Sequence, residues 1–492
     1  MNKVPKITLP KEVIDSIKTL ENKGFLAYVV GGSVRDIIRG KTPKDWDITT
    51  NAKPEDIENA FPKIFYNNSF GTVTVVNETT KDETLKEIQI TPFRIESKYS
   101  DKRHPDKITF SNKLEDDLKR RDFTINAIAY DISKGQFIDP YKGQEDISSG
   151  IIRAVGDPKE RFSEDALRIM RAIRLAGELC FTINIDTMQA IKELSSSLND
   201  IAMERINDEF SKIVMSENPK ETFELMHKLG VLNVIIPELI EGVGIKQNQA
   251  HSYEVLEHNL RCLQHAANRN FPFHVRLSAL FHDIGKPATR NWGEKTQDWT
   301  FYGHDVVGGR MTKKILTRMK FSRETIDLVS KLVRYHLFFS DPDVVTMSSV
   351  RRLVRNVGKD YIWDLMNVRA CDRIGTGRPK EAPYRLRKYE SMIEQALTDP
   401  ISVGMLKIDG LKIMEITNSK PGQKIGFILH ALLEEVLEDP DKNTEEYLGS
   451  RVTILNKLSE EELKKVGESG KYKKEEVEEK QLEKIRKKHW VK

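Results

Sequence analysis

Cysteine is scarce in this chain of 492 residues: Cys180, Cys262 and Cys371 are odd in number, far apart and without C-x-x-C spacing. This argues against a disulfide framework and against a thiolate zinc site. Long apolar runs are missing as well. The stretch around Leu26 to Val30 falls far short of the roughly 18 residues of a spanning helix, and the opening MNKVPKITLP lacks the apolar core of a signal peptide. The expectation is a cytoplasmic protein with no membrane partner. A dominant charge sign is absent too, since the formal net charge is only +4. Composition therefore does not predict a nucleic-acid partner, and a basic surface must come from clustering. What is present, 38% hydrophobic and 31% charged residues, is the make-up of a globular chain. At roughly 150 residues per domain, its length implies three or more packing units.

The first stretch alternates element types. Glu12 to Leu20 reads as a helix stopped by Gly24, Phe25 to Val30 as a buried strand, and Ser33 to Arg39 as a short helix capped by Ser33. The β-branched runs Thr72 to Val76 and Glu87 to Thr91 continue this α/β pattern to about Ala154, with Pro54 opening a helix over Glu55 to Phe61. From Ser163 the apolar positions Ala166, Ile169, Met170, Ile173 and Ala176 recur at three and four, and helical periodicity persists to Leu437.

In the α/β head, Val30-Gly31-Gly32-Ser33-Val34-Arg35-Asp36 runs from strand through two glycines into a helix. Backbone can approach a phosphate there, and Arg35 adds a forked donor. Neither a Walker lysine nor a G-x-G-x-x-G motif follows, so the turn by itself is a weak signal. Asp45-Trp46-Asp47 strengthens it: residues i and i+2 of a strand face one side, where two carboxylates can hold hard cations such as Mg2+. A third carboxylate is sought on the next strand, where Glu87 and Gln89 are taken to point to opposite faces.

Then comes Leu114 to Ala127, with Arg120-Arg121-Asp122-Phe123-Thr124-Ile125-Asn126-Ala127. With GGSVRD, DWD and RRDFTINA in this order, the head resembles that of class II tRNA nucleotidyltransferases, the CCA-adding enzymes of the polymerase-β-like superfamily. The resemblance continues through Gly156-Asp157-Pro158 and Arg161 to Arg168 to an HD-type domain and Pro421 to Gly426. It implies an α+β protein: a nucleotidyltransferase head (1–155), a helical neck (156–240), an HD domain (241–375), a helical tRNA-binding tail (376–455) and a charged extension (456–492). It also implies tRNA, CTP and ATP as partners, with no obligate protein partner evident. Asp45 and Asp47 become Mg2+ ligands, and Gly32, Arg35 and Arg121 bind nucleotide.

Asp165 and Arg168, read as i and i+3 on one helix, are neighbours; Arg171 and Arg174 continue in steps of three. The bland reading is a surface ion pair. Cytosine and adenine, however, each place an exocyclic amine beside a ring-nitrogen acceptor, which a carboxylate and a guanidinium complement together. The resemblance implies that Asp165 and Arg168 read the base, with Glu164 in support and Arg171 and Arg174 near base or phosphates. The polar segment Arg94 to Pro105 resembles the family's flexible loop, which favours an enzyme able to add A.

A second constellation is His258, His282-Asp283, His304, His336 and Asp372. An adjacent His-Asp followed by Ile-Gly-Lys resembles the HD phosphohydrolases. The metal set then maps to His258, His282, Asp283 and Asp372, with His304 and His336 as candidates for a second divalent transition metal. In the tail, the helix start after Pro421-Gly422 with Lys424 suits a phosphate. The competing functions are a poly(A) polymerase, against which Phe70-Gly71-Thr72-Val73 speaks, and an HD phosphohydrolase with a nucleotide-binding head. A noncatalytic RNA chaperone is a third, disfavoured by the acidic pair. Full CCA addition and A-only addition stay open.

Overall fold

Helix α1 (Lys11–Glu21) turns Val13, Ile17 and Leu20 inward at helical spacing. Gly24, at φ +88°, turns the chain into strand β1 (Ala27–Val30), which is buried at every position. The computed structural model describes residues 7–67, 71–96, 108–248, 252–338, 345–399 and 402–467. Two units divide the chain, Met1–Ile240 and Glu241–Lys492.

In the first unit β1 lies inside a mixed sheet. Helix α2 (Gly32–Ile38) follows it, then β2 (Trp46–Thr50), α3 (Pro54–Glu58), β3 (Ile64–Asn67), β4 (Thr72–Val76) and β5 (Glu87–Pro92). A small ribbon, β6 (Arg94–Glu96) with β7 (Ile108–Phe110), precedes α4 (Leu114–Lys119) and the hairpin β8 (Ala129–Asp131) with β9 (Gln136–Ile138). The sheet order is β3-β4-β5-β2-β1-β8-β9; β2 runs antiparallel to β1 and parallel to β5. Tyr28, Val30, Phe93, Leu114, Leu118 and Ala129 form a core under α4.

Three local expectations are corrected here. Ser33 does not cap α2: its hydroxyl donates to the Val30 carbonyl, and Gly31, at φ +77°, stands before the helix. Glu87 and Gln89 share one exposed face of β5 while Ile88 and Ile90 are buried, as residues two apart on a strand must. The helix expected from Ser163 is broken. Helix α5 (Gly143–Ser149) and α6 (Pro158–Glu164) lead to Asp165, which is extended at φ −144°, ψ 104° before α7 (Leu167–Leu179) begins. There its carboxylate accepts the Leu167 N–H, satisfying one of the amides that no turn of helix can.

Helices α8 (Ile185–Leu194), α9 (Met203–Met215) and α10 (Pro219–Lys228) complete the neck with the short α11 (Val231–Ile235) and α12 (Pro237–Ile240). Gly177 lets α7 approach α10 closely: a Cβ there would lie 1.9 Å from Thr222 Oγ1.

The second unit is helical: α13 (Val255–Asn268), α14 (Phe273–Phe281), α15 (Lys286–Thr289), a hairpin of β-strands at 291–300, α16 (His304–Arg318), α17 (Arg323–Tyr335), α18 (Met347–Val357) and α19 (Ile362–Gly375). The tail adds α20 (Tyr384–Thr398), α21 (Gly410–Thr417), α22 (Gln423–Glu438), α23 (Glu445–Leu455) and α24 (Glu460–Gly467). Leu332, Val350 and Leu365 share a core with Leu386, Ile393 and Leu433, so tail helices pack directly on those of the HD region. Lys424 Nζ gives one of its three N–H donors to the Asn456 carbonyl at 2.7 Å. Most of the segments 94–105 and 456–492 lies outside the described residues, as does Phe70. Among the described residues no helix is long and apolar enough to cross a membrane.

Candidate active site and metal centre

The end of β1 and the start of β2 meet because the strands are antiparallel partners, with Val30 opposite Asp47. Asp45 is exposed just before β2, Asp47 is half-buried, and Trp46 between them is turned into the core at 3% exposure. Built Cβ atoms mark the space. One on Gly31 would lie 3.2 Å from both Arg121 Nη1 and Asp47 Oδ2; one on Gly32 would lie 3.5 Å from Arg35 Nη2 and 3.8 Å from Asp45 Oδ1. The glycine turn, both aspartates, Arg35 and Arg121 thus border one small space that side chains on the turn would fill. Burial pushes the Asp47 carboxyl up to about 6; Arg121 opposes the rise and Asp45 adds to it. Two carboxylates sharing a site, one of them desolvated, form a donor set that a hard divalent cation suits. On β5 the residue paired with Asp47 is Gln89, and Glu87 precedes Ile88, the partner of Trp46, so it stands at the level of Asp45.

Behind the space lies a network not foreseen from sequence. Asp117, fully buried, accepts from Nε and Nη2 of both Arg120 and Arg121. Arg35 donates to Asp36 and to the Asn126 side chain, each at 2.9 Å. Asn126 in turn donates to Asp122, whose other oxygen takes Arg171 Nε at 2.8 Å and Nη2 at 2.7 Å. Burial alone would raise Asp122, but Arg171 and the Asn126 amide bring it down to about 2. Arg171 therefore ties the neck to the head, and Arg174 is held by Glu209 and Glu178.

Asp165 and Arg168 do not pair with each other. Asp165 is held in a fork by Arg205 of α9, at 3.2 and 2.7 Å, and Arg205 escaped the sequence reading. Arg168, nearly buried, donates to the carbonyls of Arg161 and Arg120 and to Glu164. The pairing of Asp165 with Arg168 is thus not formed, and each is ion-paired to another residue. With the Leu167 amide, Asp165 accepts three hydrogen bonds, while Arg168 spends three of its donors. A carboxylate offers about four acceptor sites and a guanidinium five donors, so both retain capacity for a ligand.

In the second unit all six sequence-selected residues meet. His258 Nε2 is 3.0 Å from His282 Nε2, 3.2 Å from Asp283 and 3.4 Å from Asp372. His304 and His336 Nε2 face Asp283 Oδ1 at 3.2 and 3.6 Å. Four of these groups come from the ends of helices, His282 and His336 just past α14 and α17 and His304 at the start of α16, with Asp283 following His282. His282, His304 and His336 each donate Nδ1–H to a backbone carbonyl, of Ala279, Phe301 and Val333, at 2.9, 2.7 and 2.6 Å. A carbonyl only accepts, so these bonds place the ring proton on Nδ1 and aim the Nε2 lone pairs at the shared centre. Buried lone pairs facing carboxylate oxygens are mutually repulsive without a cation, and the donor set fits a divalent transition metal. Cys262 and Lys286 were not selected from sequence, but both belong to this neighbourhood. Cys262 Sγ is 3.7 Å from His258 Nε2, and Lys286 Nζ is 2.5 Å from Asp283.

Three family models match the chain: the poly A polymerase head domain over residues 27–153, the probable RNA and SrmB-binding site of polymerase A over 180–242, and the HD domain over 249–374. Over 260 residues, 51% of this chain, it is 43% identical to the CCA-adding enzyme of Leuconostoc mesenteroides, 63% of which is covered. Over 212 residues, 43% of this chain, it is 47% identical to the CCA-adding enzyme of Ligilactobacillus salivarius, 51% of which is covered. The chain thus spans from about half to 63% of the length of these curated relatives. The solved CCA-adding enzyme of Bacillus stearothermophilus in complex with CTP superposes with a TM-score of 0.65 at 26% identity, covering 92% of this chain and 98% of that one. The Thermotoga maritima CCA-adding enzyme complexed with tRNA shares the fold, with a TM-score of 0.52 at 21% identity, covering 92% and 97%. By sequence over about half its length and by fold through nearly all of it, the chain is similar to CCA-adding enzymes.

Proposed function

We propose that the chain adds C and A residues to the 3′ end of tRNA from CTP and ATP, releasing pyrophosphate. In this reading residues 1–155 are the transferase head, 156–240 the neck that reads the base, 241–375 the HD domain and 376–455 the tRNA-binding tail. The observation that carries it is the small space bordered by Gly31, Gly32, Asp45, Asp47 and Arg121. Asp45 and Asp47 would hold Mg2+, which supplies charge neutralisation for an in-line displacement at the α-phosphate. The Gly31–Gly32 turn lets backbone approach the triphosphate, and Arg35 and Arg121 meet its oxygens with forked donors. Their orientation is supported by Asn126 and Asp117.

Base choice falls to Asp165 and Arg168. The remaining acceptor site of Asp165 takes the exocyclic amine of C or A, and spare N–H groups of Arg168 go to the ring acceptor. Uracil and guanine put a carbonyl oxygen where the amine would be, leaving the carboxylate without its donor and facing a like partial charge. Arg205 keeps the carboxylate aimed. Arg171 and Arg174, anchored by Asp122 and Glu209, stand near base or phosphates in this reading.

The HD centre is read as a metal-dependent phosphohydrolase site with His258, His282, Asp283 and Asp372 as ligands and His304 and His336 as ligands of a second metal. Transferase activity is tested with tRNA transcripts ending before CCA, after C and after CC, each with CTP, ATP or both. Stepwise extension of all three supports full CCA addition. Extension only of the transcript ending in CC assigns A-only addition, and extension of none removes the transferase reading.

A further inference from the structure

We propose that Cys262 supplies a sulfur donor to the HD metal centre, making it a mixed nitrogen, oxygen and sulfur site that prefers a thiophilic divalent ion such as zinc or cobalt over magnesium. The proposal rests on the metal reading of the HD centre given above.

Cys262 lies one turn after His258 on α13, and the i, i+4 spacing puts both side chains on one face of the helix. The thiol is fully buried, with Sγ 3.7 Å from His258 Nε2 and 3.9 Å from its Nδ1. Donor atoms of Cys262, His258 and His282 all lie within 4.8 Å of one another. A tetrahedral ion with ordinary zinc bond lengths to sulfur and nitrogen separates two such donors by about 3.5 Å, close to the spacing here. His282 Nε2, aimed into the same space by the Nδ1 bond to Ala279 and 3.0 Å from His258 Nε2, is the third donor of this group.

The opposite wall makes room for the sulfur. On α19 Gly375 stands one turn past Asp372, and a Cβ at that position would lie 2.2 Å from Cys262 Sγ. Cys371 differs: it packs with Cys262, Ala266 and Ala279 in an apolar cluster but is not among the grouped donors. Thiolate is a soft ligand, whereas magnesium keeps hard oxygen donors and several waters, so one sulfur is enough to tilt selectivity. On coordination the S–H proton passes to solvent as the sulfur–metal bond forms, and no electron is transferred.

The test uses the full chain in a Cys180→Ser background, because Cys180 is exposed and would bind cobalt adventitiously. The protein is stripped with chelator, reloaded with Co2+ and dialysed. The expected spectrum has ligand-field bands and a near-ultraviolet thiolate-to-cobalt charge-transfer band, lost in Cys262→Ser and kept in Cys371→Ser. Zinc affinity should fall roughly tenfold or more in Cys262→Ser. Retained cobalt without the charge-transfer band, or a band that survives Cys262→Ser, overturns the proposal and leaves the HD metal reading standing. No retained cobalt overturns both. X-ray absorption of the zinc-loaded parent decides the point without any substitution at Cys262: a sulfur scatterer supports the ligand, and only nitrogen and oxygen scatterers refute it.

Discussion

The carboxylate of Asp165 sits in the fork of Arg205, at 3.2 and 2.7 Å, while Arg168, three residues along the chain, turns to Glu164 at 2.5 Å. The acid proposed to read the base is therefore positioned from a separate helix, and Arg168 is held by its own neighbours. Removing Arg205 takes away a charge-assisted pair worth ~1.5–3 kcal/mol, so Arg205→Ala should lower CTP and ATP incorporation and shrink discrimination against UTP by about 10–150-fold. Arg205→Lys, a single point donor, should recover part of it. Asp165→Ala should erode the same ratio. Competition kinetics of CTP against UTP on one tRNA primer reads all three, and an unchanged ratio in folded variants removes the template role.

Asp45→Asn and Asp47→Asn should each abolish nucleotide addition while tRNA affinity stays within a few-fold, because ligand charge serves the displacement and not the gripping of backbone phosphates. Primer extension with a parallel tRNA-binding titration measures the split. Wild-type turnover in either variant would exclude that residue from the site.

Asp47 also sets a pH dependence with a definite sign. Burial lifts its carboxyl from 3.8 to about 6, with Asp45 and Asp117 adding and Arg121 and Arg171 opposing. The native chain thus keeps a proton that the unfolded chain releases, so the stability of metal-free protein falls as pH rises from about 4 to 6 and then levels. Asp47→Asn should raise the melting temperature of metal-free protein at pH 7, by roughly 2–4 °C per kcal/mol recovered. The addition rate should fall below about pH 6, and more Mg2+ should move that midpoint down, since cation and proton compete for one carboxylate. A midpoint indifferent to Mg2+ would detach Asp47 from the metal.

The two sites use different residues, so His282→Ala with Asp283→Ala should eliminate metal retention by the HD domain and any metal-dependent phosphate release from cyclic phosphodiesters or nucleotides. CCA addition should persist. Elemental analysis after dialysis, phosphate release and primer extension separate the activities; loss of addition in a folded double variant would show the sites to be coupled.

Local rules made part of this molecule legible from sequence. Two glycines at a strand end imply close backbone approach, and the spacing of Asp45 and Asp47 brings two carboxylates to the start of β2 beside them. The order His258, His282-Asp283, Asp372 announces an HD centre, which the ends of α14, α16 and α17 assemble with His304 and His336. Such features depend on residues close in sequence or on a motif whose spacing encodes its geometry. The partner of Asp165 was not of this kind. Helical periodicity ran unbroken through Ser163 to Arg174 because apolar spacing does not register a single extended residue, and the break at Asp165 redirects the carboxylate toward α9. Long ion pairs such as Asp122 with Arg171 and Asp165 with Arg205, and the seating of Cys262 Sγ against Gly375, depend on which helix faces bury against one another. Burial pairs charges by proximity in space, and only the packed chain decides which charges are near.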